Sequence, residues 1–492
     1  MSFELETASG DARNLRRVAI DPLTRIEGHG KITLLLDEND VVQQARLHVV
    51  EFRGFEKFIQ GRPYWEVPVM VQRLCGICPV SHHLAAAKAL DQVVGAPTLT
   101  AVAEKMRRLM HYGQILQSHA LHFFYLSSPD LLFGFDSERG LRNIVGLAAA
   151  HPEIAKQGVL LRKFGQEIIQ YTAGKRIHGT GAIPGGINRS LTASERNRLL
   201  ADVDQVIAWS REAVHLVKCL HAMDPDFYDG FGTFRSNMLS IVGKGGALDL
   251  YDGHLRARNV DGEIILDEGK AADYQTWIGE EIKPWSYMKF PFLRPLGPEK
   301  GWYKVGPLAR VQNCGFIPSP LAEAERQEFV GYGKGKVIHA PLAYHWARMI
   351  EMLHAAETIQ TLLNDDDVLG SDRIKEGRHQ GEGIGIIEAP RGTLIHHYRV
   401  SDDDLVTMCN LIVSTTHNNQ PMNEAVRHVA KRYLNGRQLT DGLLNHIEVA
   451  IRAFDPCLSC STHALGKMPL EVVLQDQAGR TIDRIVKSGA GA

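Results

Sequence analysis

Two cysteine pairs near opposite ends of the chain are the residues best suited to chemistry. Cys75 and Cys78 form one Cys-x-x-Cys pair, and Cys457 and Cys460 form another. This spacing lets both sulfurs of a pair bind one metal, so the two pairs together offer four soft thiolate ligands. A single pair would also suit a redox dithiol or half of a zinc site. Two pairs so far apart predict one shared site that joins the ends of the chain.

Structural zinc is the alternative for four cysteines. Zinc ribbons space their pairs by tens of residues or fewer, whereas most of the chain separates Cys78 from Cys457. Asp455–Pro456 also restricts the backbone before Cys457. Glycine-punctuated segments, typical of functional sites and of surface turns alike, carry the ionisable residues Arg25, Glu27, Glu56 and Arg391. The residues alone therefore predict a thiolate metal centre that could be redox-active.

The composition limits the compartment and the partners. The 492 residues are 44% hydrophobic and 23% charged, with a net charge of −2 and no basic block, which argues against nucleic acid and anionic membranes. The N-terminal segment lacks an apolar signal region, and an odd count of seven cysteines fits a reduced compartment. We expect a cytoplasmic chain without a membrane span. The uncharged segment 109–129 is too polar for lipid and predicts a buried helix.

Helical periodicity dominates the segments that must position these residues. It predicts helices at residues 80–94, 100–127, 151–173, 194–223, 342–364, 402–409, 421–434 and 441–454. Strands are predicted at residues 31–36, 41–50, 248–251 and 263–266, and residues 379–400 read as a glycine-rich segment followed by a strand. No repeat or linker interrupts the chain, so a single large domain is expected.

Six motifs, in order along nearly the whole chain, resemble the large subunit of nickel–iron hydrogenases. They are RIEGH at 25–29, FRGFE at 52–56, RLCGICPVSH at 73–82, PGG at 184–186, EAPRG at 388–392 and DPCLSCSTH at 455–463. The two cysteine motifs are most similar to the soluble, NAD-reducing (bidirectional) type. The resemblance implies an α+β, mainly α fold with a large helical-bundle core and small peripheral β-sheets. It also implies reversible heterolytic cleavage of dihydrogen at a nickel–iron centre.

The resemblance assigns metal ligands by position. Cys75 and Cys457 match terminal nickel ligands, and Cys78 and Cys460 match sulfurs that bridge nickel and iron. The remaining iron ligands in the family are carbon monoxide and two cyanides. A nearby magnesium ion would be bound by the side chains of Glu56 and His463 and by the backbone carbonyl of Leu411.

Glu27, Cys457 and Arg391 are the expected catalytic residues. Glu27 matches the glutamate that relays protons from Cys457. Arg391 matches the guanidinium over the open metal position, with Pro390 beside it. Because arginine stays charged, we expect Arg391 to position and stabilise rather than act as a base. Ser118 stands where the family often has aspartate, and we assign it no catalytic role.

Electrons need partners to leave the site. After the four ligands only three scattered cysteines remain, too few for an iron–sulfur cluster. The resemblance therefore implies an iron–sulfur small subunit and, beyond it, a diaphorase module with FMN and NAD. Nickel-insertion proteins and a maturation protease are expected as transient partners.

Residues 464–492 follow the last motif. In the family a dedicated protease removes such a tail after nickel insertion, which implies a mature domain of residues 1–463. We expect a chain that still ends at Ala492 to be an unprocessed precursor. The alternative is a permanent C-terminal strand and helix.

Rival functions share parts of this pattern. A deazaflavin-reducing hydrogenase and a hydrogen sensor would use the same fold. A redox-silent scaffold, either zinc-stapled or related to the quinone-site subunit of respiratory NADH dehydrogenase, would not need the full set of motifs. The respiratory relative lacks the four cysteines, which argues against it.

Overall fold

Helices form the core of the molecule. The computed structural model describes residues 16–434, 440–462, 470–475 and 481–487. Its helices are α1 (Phe55–Ile59), α2 (Val67–Met70), α3 (Pro79–Val93), α4 (Ala101–Leu121), α5 (Ser128–Phe133), α6 (Ile144–Ala150), α7 (Pro152–Ala173), α8 (Ala193–Met223), α9 (Pro225–Gly230), α10 (Tyr274–Trp277), α11 (Gly297–Lys300), α12 (Pro307–Asn313), α13 (Pro320–Tyr332), α14 (Ala343–Leu363), α15 (Ser414–His417), α16 (Asn419–Tyr433) and α17 (Asp441–Arg452).

The long helices pack as a bundle. Helix α4 lies against α7 and α14, and α14 also lies against α8. Helices α4 and α14 are buried on nearly every face, as expected of helices at the centre of a large core. Helix α8 begins with a capping box in which Thr192 and Glu195 bond reciprocally. The predicted helical-bundle core is confirmed.

Small sheets pack against the helices of this bundle. The strands are β1 (Arg16–Ile20), β2 (Gly30–Leu36), β3 (Val42–Val49), β4 (Ala182–Ile183), β5 (Gly186–Ile187), β6 (Asn237–Val242), β7 (His254–Arg258), β8 (Ile264–Gly269), β9 (Ile278–Glu281), β10 (Phe290–Leu293), β11 (Tyr303–Lys304), β12 (Glu382–Ala389), β13 (Gly392–Val400), β14 (Val406–Ile412), β15 (Leu470–Gln475) and β16 (Thr481–Lys487). Strands β1–β2–β3 and β12–β13–β14 form antiparallel sheets, β11–β6–β7–β8 a mixed sheet, and the others two-stranded pairs. The predicted α+β, mainly α class is confirmed.

The sheet β12–β13–β14 packs directly on α3, which follows the first cysteine pair. A Cβ atom at Gly383 would lie 2.0 Å from the carbonyl oxygen of Ala89, and one at Gly385 would lie 2.3 Å from that of Ala85. The glycines of β12 and the alanines of α3 therefore let the two backbones touch. This close approach sets the position of the helix that carries the first metal motif.

Two predicted elements are wrong. Residues 402–409, predicted as a helix, form a turn and the start of β14. The aspartates resemble a helix cap, but Asp404 has a left-handed φ of 62° and the Ser401 N–H bonds the Leu405 carbonyl at 2.9 Å, which closes a hairpin. Residues 248–251, predicted as a strand, are irregular, and the strand is β7 instead. Their apolar side chains signal burial rather than sheet pairing.

The uncharged segment 109–129 is a buried helical stretch, as predicted. It runs through α4, a π-helical turn at His122–Ser127 and the start of α5. Within the described residues, none of the helices has the length and apolarity needed to cross a membrane. Strands β15 and β16 pair with each other as an antiparallel hairpin where a strand and a helix were the predicted alternative.

Candidate metal centre

The two cysteine pairs meet at one buried point. The Sγ atoms of Cys75 and Cys457 lie 3.2 Å apart, and those of Cys78 and Cys460 lie 3.9 Å apart. All four sulfurs lie within 4.8 Å of one another, and each residue is at most 5% exposed. The predicted single site joining both ends of the chain is present.

The first pair is shaped by a turn into α3. The Sγ atom of Cys75 accepts the backbone N–H groups of Ile77 and Cys78, each at 3.2 Å. Pro79 then begins α3, where a missing N–H costs nothing. The turn thus directs both sulfurs to one side and gives the Cys75 sulfur two backbone donors.

The second pair is attached to the N-terminal segment. Cys457 forms a parallel β-bridge with Glu27, and the Leu458 N–H donates to the Glu27 carbonyl at 3.0 Å. The Cys457 N–H donates to Thr415 Oγ1 at 2.9 Å. Asp455 has a left-handed φ of 55° at the entry to this loop. These contacts hold the loop against the first pair.

Burial and mutual hydrogen bonds divide the four thiols. Burial raises the pKa values of Cys457 and Cys460 well above the usual range of a thiol. Hydrogen bonds, first from Cys457, hold the pKa of Cys78 well below that range. Burial thus favours the protonated form of Cys457 and Cys460, and a cation bound by the sulfurs would displace these protons.

Glu27 lies directly against the sulfur cluster. The Cys457 thiol donates to Glu27 Oε2 at 3.0 Å. The Ser459 N–H donates to the same oxygen at 3.2 Å, and the Ser459 hydroxyl donates to Oε1. Ser459 was not predicted, although its place between the two cysteines of the second pair was a usable signal. The carboxylate is thus held on both oxygens beside a thiol.

Arg391 lines the small cavity next to the sulfurs. Pro390 and three of the cysteines, Cys78, Cys457 and Cys460, line the same cavity. The Arg391 guanidinium is buried and donates to Asp455 Oδ1 at 2.9 Å and to Ser118 Oγ at 3.4 Å.

The charges around Arg391 are strongly coupled. Burial raises the pKa of Asp455 to about 6, although Arg391 pulls it down. Burial lowers the pKa of Arg391, but the charges of Asp455 and the nearby thiols raise it by more. The pKa of Arg391 is therefore raised overall. The guanidinium therefore remains a fixed positive charge at the cavity wall. Sequence motifs had not indicated Asp455 as its partner.

The residues predicted to bind magnesium are only partly described. Glu56 Oε1 accepts the Leu411 N–H at 2.9 Å, so these two residues are brought together. His463 lies outside the described residues. Lys289 Nζ lies 3.5 Å from Glu56 Oε1 and 3.4 Å from Glu280 Oε2. Burial raises the pKa of Glu56 against the charge of Lys289. Neither Lys289 nor Glu280 was predicted.

The donor set fits a soft metal centre. Four thiol sulfurs converge in a buried site with no room for a shell of water, which suits zinc or nickel and iron and excludes magnesium or calcium at this point. Zinc alone would leave Glu27 and Arg391 without a chemical role. An acid–base group and a fixed cation next to the sulfurs instead suit a reactive centre.

Comparison with known proteins identifies the relatives of this chain. A family model described as nickel-dependent hydrogenase matches residues 53–133 and 261–463, and a HoxL-like model matches residues 17–52. The NAD-reducing hydrogenase HoxS subunit beta of Cupriavidus necator is 47% identical, covering 95% of this chain and 99% of that protein. One subunit of the F420-non-reducing hydrogenase of Methanothermobacter marburgensis is 39% identical, covering 95% of this chain and 100% of that protein.

Solved structures agree with these relatives. A crystal structure of an NAD+-reducing NiFe-hydrogenase in the H2-reduced state has a TM-score of 0.90 and 58% identity, covering 91% of this chain and 99% of that one. A NiFeSe-hydrogenase of Dm. baculatum has a TM-score of 0.74 at 23% identity, covering 91% and 100%. The second likeness shows the fold alone.

Proposed function

The chain belongs to the nickel-dependent hydrogenase family as a large, catalytic subunit, and we propose that it reversibly cleaves dihydrogen at a nickel–iron centre held by its four clustered cysteines. The observation that carries this proposal is the Glu27 carboxylate 3.0 Å from the Cys457 sulfur, at the edge of the four-sulfur cluster. A structural zinc clip has no use for a proton acceptor at one of its sulfurs. A centre that separates a proton from dihydrogen requires one.

The four cysteines divide into two roles in this proposal. Cys75 and Cys457 would each hold nickel alone, and Cys78 and Cys460 would hold nickel and iron together. Carbon monoxide and two cyanides would be the remaining ligands of the iron. When bound, the centre supplies an electrophilic metal that polarises dihydrogen and takes up its electrons.

Proton movement is assigned to Cys457 and Glu27. The Cys457 Sγ atom takes the proton, and Glu27 Oε2 receives it across the 3.0 Å contact. Two donors from Ser459 hold the carboxylate in the receiving orientation. In the direction of dihydrogen formation the same atoms carry the proton inward. Proton transfer between groups at this separation needs no large motion.

Arg391 acts as a fixed charge rather than as a base. Its bonds to Asp455 and Ser118 hold the guanidinium at the wall of the cavity that Cys78 and Cys457 also line. There it stabilises the negative charge that develops when a proton and electrons separate. Pro390 fills the wall beside it and carries no N–H, so it brings no competing donor.

A magnesium ion is proposed close to the sulfur cluster, with three ligands from this chain. Glu56 supplies a carboxylate, Leu411 its backbone carbonyl and His463 an imidazole. Glu56 and the Leu411 backbone lie next to each other, since Glu56 Oε1 accepts the Leu411 N–H at 2.9 Å, and magnesium prefers oxygen ligands.

Electrons are proposed to leave through partners to NAD. The relative from Cupriavidus necator is named as a subunit of an NAD-reducing hydrogenase, which supports an iron–sulfur small subunit and a diaphorase module carrying FMN and NAD. A cytoplasmic location follows from such an acceptor. Deazaflavin reduction and sensing remain rival functions. Purified complex tested with NAD and with a deazaflavin separates them, and we expect reduction of NAD alone.

Removal of residues 464–492 is proposed as the last step of maturation. The tail begins right after the loop that carries Cys457 and Cys460, and a trailing chain there can hinder closure of the loop over metals. Nickel-insertion proteins act before a protease cuts behind His463. We expect mass spectrometry of the active enzyme to find a chain that ends at His463. The same measurement on protein from nickel-deprived cells should find a chain that still carries residues beyond His463. Active enzyme that retains Ala492 would contradict this step.

The test of the function is hydrogen isotope exchange between dihydrogen and water by the purified complex. We expect the parent to exchange and the Glu27→Gln variant to lose about 10²- to 10⁴-fold while keeping its nickel, because the amide cannot accept a proton. Glu51→Gln is the control, since Glu51 bonds His29 away from the sulfurs. Absent exchange in a nickel-loaded parent, or full exchange in Glu27→Gln, would contradict the proposal.

A further inference from the structure

A fully buried arginine lies behind the turn that carries Arg391. Arg310, on α12, donates twice to Glu351, with both distances 2.6 Å, and once to Glu388 Oε2 at 3.0 Å. Its other two donors bond the carbonyl oxygens of Ala389 at 2.6 Å and Pro390 at 3.2 Å. A guanidinium has five N–H donors, and here all five are used without solvent exposure.

The two carbonyls belong to the residues immediately before Arg391. Strands β12 and β13 pair as far as Ala389 and Gly392, so Pro390 and Arg391 form the tip of this hairpin. The side chain of Arg391 leaves the tip into the cavity beside the sulfurs. The orientation of the two preceding peptide planes therefore decides where that side chain begins.

We propose that Arg310 is a positioning residue for Arg391, which it acts on by holding the Ala389 and Pro390 carbonyls and so fixing the hairpin tip over the four-sulfur cavity. The inference rests on the proposed function, because it concerns the residue that faces the reacting centre. Arg310 itself does not line the cavity. Its effect must pass through the backbone of the tip.

The carboxylate partners keep Arg310 in this orientation. Glu351 bonds it on two atoms, and His119 Nε2 lies 3.0 Å from the same carboxylate. Glu388 is also bonded by the Ile241 N–H at 2.9 Å and by the Thr393 hydroxyl at 2.7 Å. The guanidinium is thus anchored from α14 and from β12 at once. Such planar, bidentate geometry is specific to arginine, and lysine cannot reproduce it.

A double-mutant cycle in the matured complex tests the proposal. Arg310→Lys keeps the charge but cannot bond both carboxylates and both carbonyls. We expect kcat for dihydrogen oxidation to fall about 10- to 100-fold, because small misplacements of a charged group are costly, with a smaller change in KM. In an Arg391→Lys background the further loss should be below about twofold, since the group being positioned is already changed. Equal losses in both backgrounds would overturn the proposal.

Arg107→Lys is the matched control. Arg107 is also fully buried, bonds Asp91 through two nitrogens, and holds the carbonyls of Ile183 and Gly186 in a different hairpin. We expect Arg107→Lys to lower stability. Its effect on kcat should be small and should be the same in the parent and in the Arg391→Lys background. It therefore separates loss of a buried arginine from loss of the tip geometry.

Amide hydrogen exchange gives a readout that does not depend on turnover. Peptides covering residues 386–395 should exchange faster in Arg310→Lys and not in Arg107→Lys, even if the chain proves to catalyse another reaction. Unchanged exchange there would overturn the proposal while leaving the proposed function intact. If Arg310→Lys does not fold, Glu351→Gln replaces it, because it loosens Arg310 and should show the same dependence on Arg391 with a smaller loss.

Discussion

Ser459 holds the carboxylate on which the proposed proton path depends. It donates through its side chain and its backbone to the two oxygens of Glu27, while the Cys457 thiol donates to one of them. Without the hydroxyl, Glu27 Oε1 would lose its donor and the carboxylate could rotate away from the sulfur. The contact that matters for transfer would then be formed only part of the time.

We predict that Ser459→Ala lowers the rate of dihydrogen–water isotope exchange by about tenfold, in line with the loss of one orienting hydrogen bond to a charged group. Ser461→Ala is the control, because the Ser461 hydroxyl bonds only the Cys457 and Leu458 carbonyls in the same loop. Exchange rates measured on both variants at equal nickel content check this. Equal losses in the two variants would show that the loop, and not Glu27, was disturbed.

At this scale the sequence predicted which residues meet at the sulfur cluster but not their neighbours. The cysteines, Glu27 and Arg391 lie in local motifs with recognisable spacing. Asp455 lies in the last motif, but the motif does not show that it pairs with Arg391, 64 residues away in sequence. Glu280 and Lys289 lie outside the motifs. Only the folded chain brings such pairs together.

At the scale of elements, the contact of α3 with β12 positions the first cysteine pair. A Cβ at Gly385 would lie 2.3 Å from the Ala85 carbonyl, whereas one at Gly381 would meet nothing closer than 3.6 Å. The two glycines belong to the same segment and differ mainly in this space. Substituting each by alanine therefore compares a site where the backbones touch with a site where they do not.

We predict that Gly385→Ala lowers the free energy of unfolding by about 1–3 kcal/mol, as expected for overpacking, and reduces nickel content because α3 must move. Gly381→Ala should change the free energy of unfolding by less than about 0.5 kcal/mol. Denaturation and metal analysis of both variants check the difference. Similar stability of the two variants would mean that α3 can shift freely.

The elements were predictable where they were long. Helices α7, α8 and α14 agree with their predicted ranges because each is far longer than a strand. Strand β14 was predicted as a helix because its seven residues are too few to show a period, and the turn before it mimics a helix cap. Short elements depend on their partners, which the local sequence does not contain.

At the scale of the whole molecule, several histidines are buried in the neutral form. Burial lowers the pKa values of His83, His111 and His354 to about 4. For His83 the geometry agrees, since Nδ1 lies 2.7 Å from the Pro68 carbonyl and Nε2 accepts the Ala182 N–H. Protonation at Nε2 would break the second bond.

We predict that stability falls as the pH is lowered from about 6.5 towards 4. In this window the unfolded histidines, with pKa values near 6.5, bind protons that the folded ones do not, so each contributes a loss of up to about 1.4 kcal/mol per pH unit. Unfolding midpoints measured across the window check this. His83→Gln should flatten the dependence, whereas His215→Gln, on the exposed face of α8, should not. A flat profile in the parent would contradict it.

The joining of the chain ends is the property of the whole molecule that the sequence predicted best. The two Cys-x-x-Cys pairs implied one shared site, and the structure places all four sulfurs within 4.8 Å of one another. The surrounding bundle could be assigned a class but not a packing order, because the order depends on contacts between helices that are remote in sequence.

The most direct test of the nickel–iron centre is infrared spectroscopy, with metal analysis, of the complex isolated from a host that supplies the maturation enzymes. We predict nickel together with carbon monoxide and cyanide bands, and more iron than nickel because the small subunit also carries iron–sulfur clusters. The nickel and the bands should be lost in Cys75→Ser and kept in Cys314→Ala, since Cys314 is buried elsewhere and donates to the Val311 carbonyl. Zinc without carbon monoxide or cyanide bands would contradict the account.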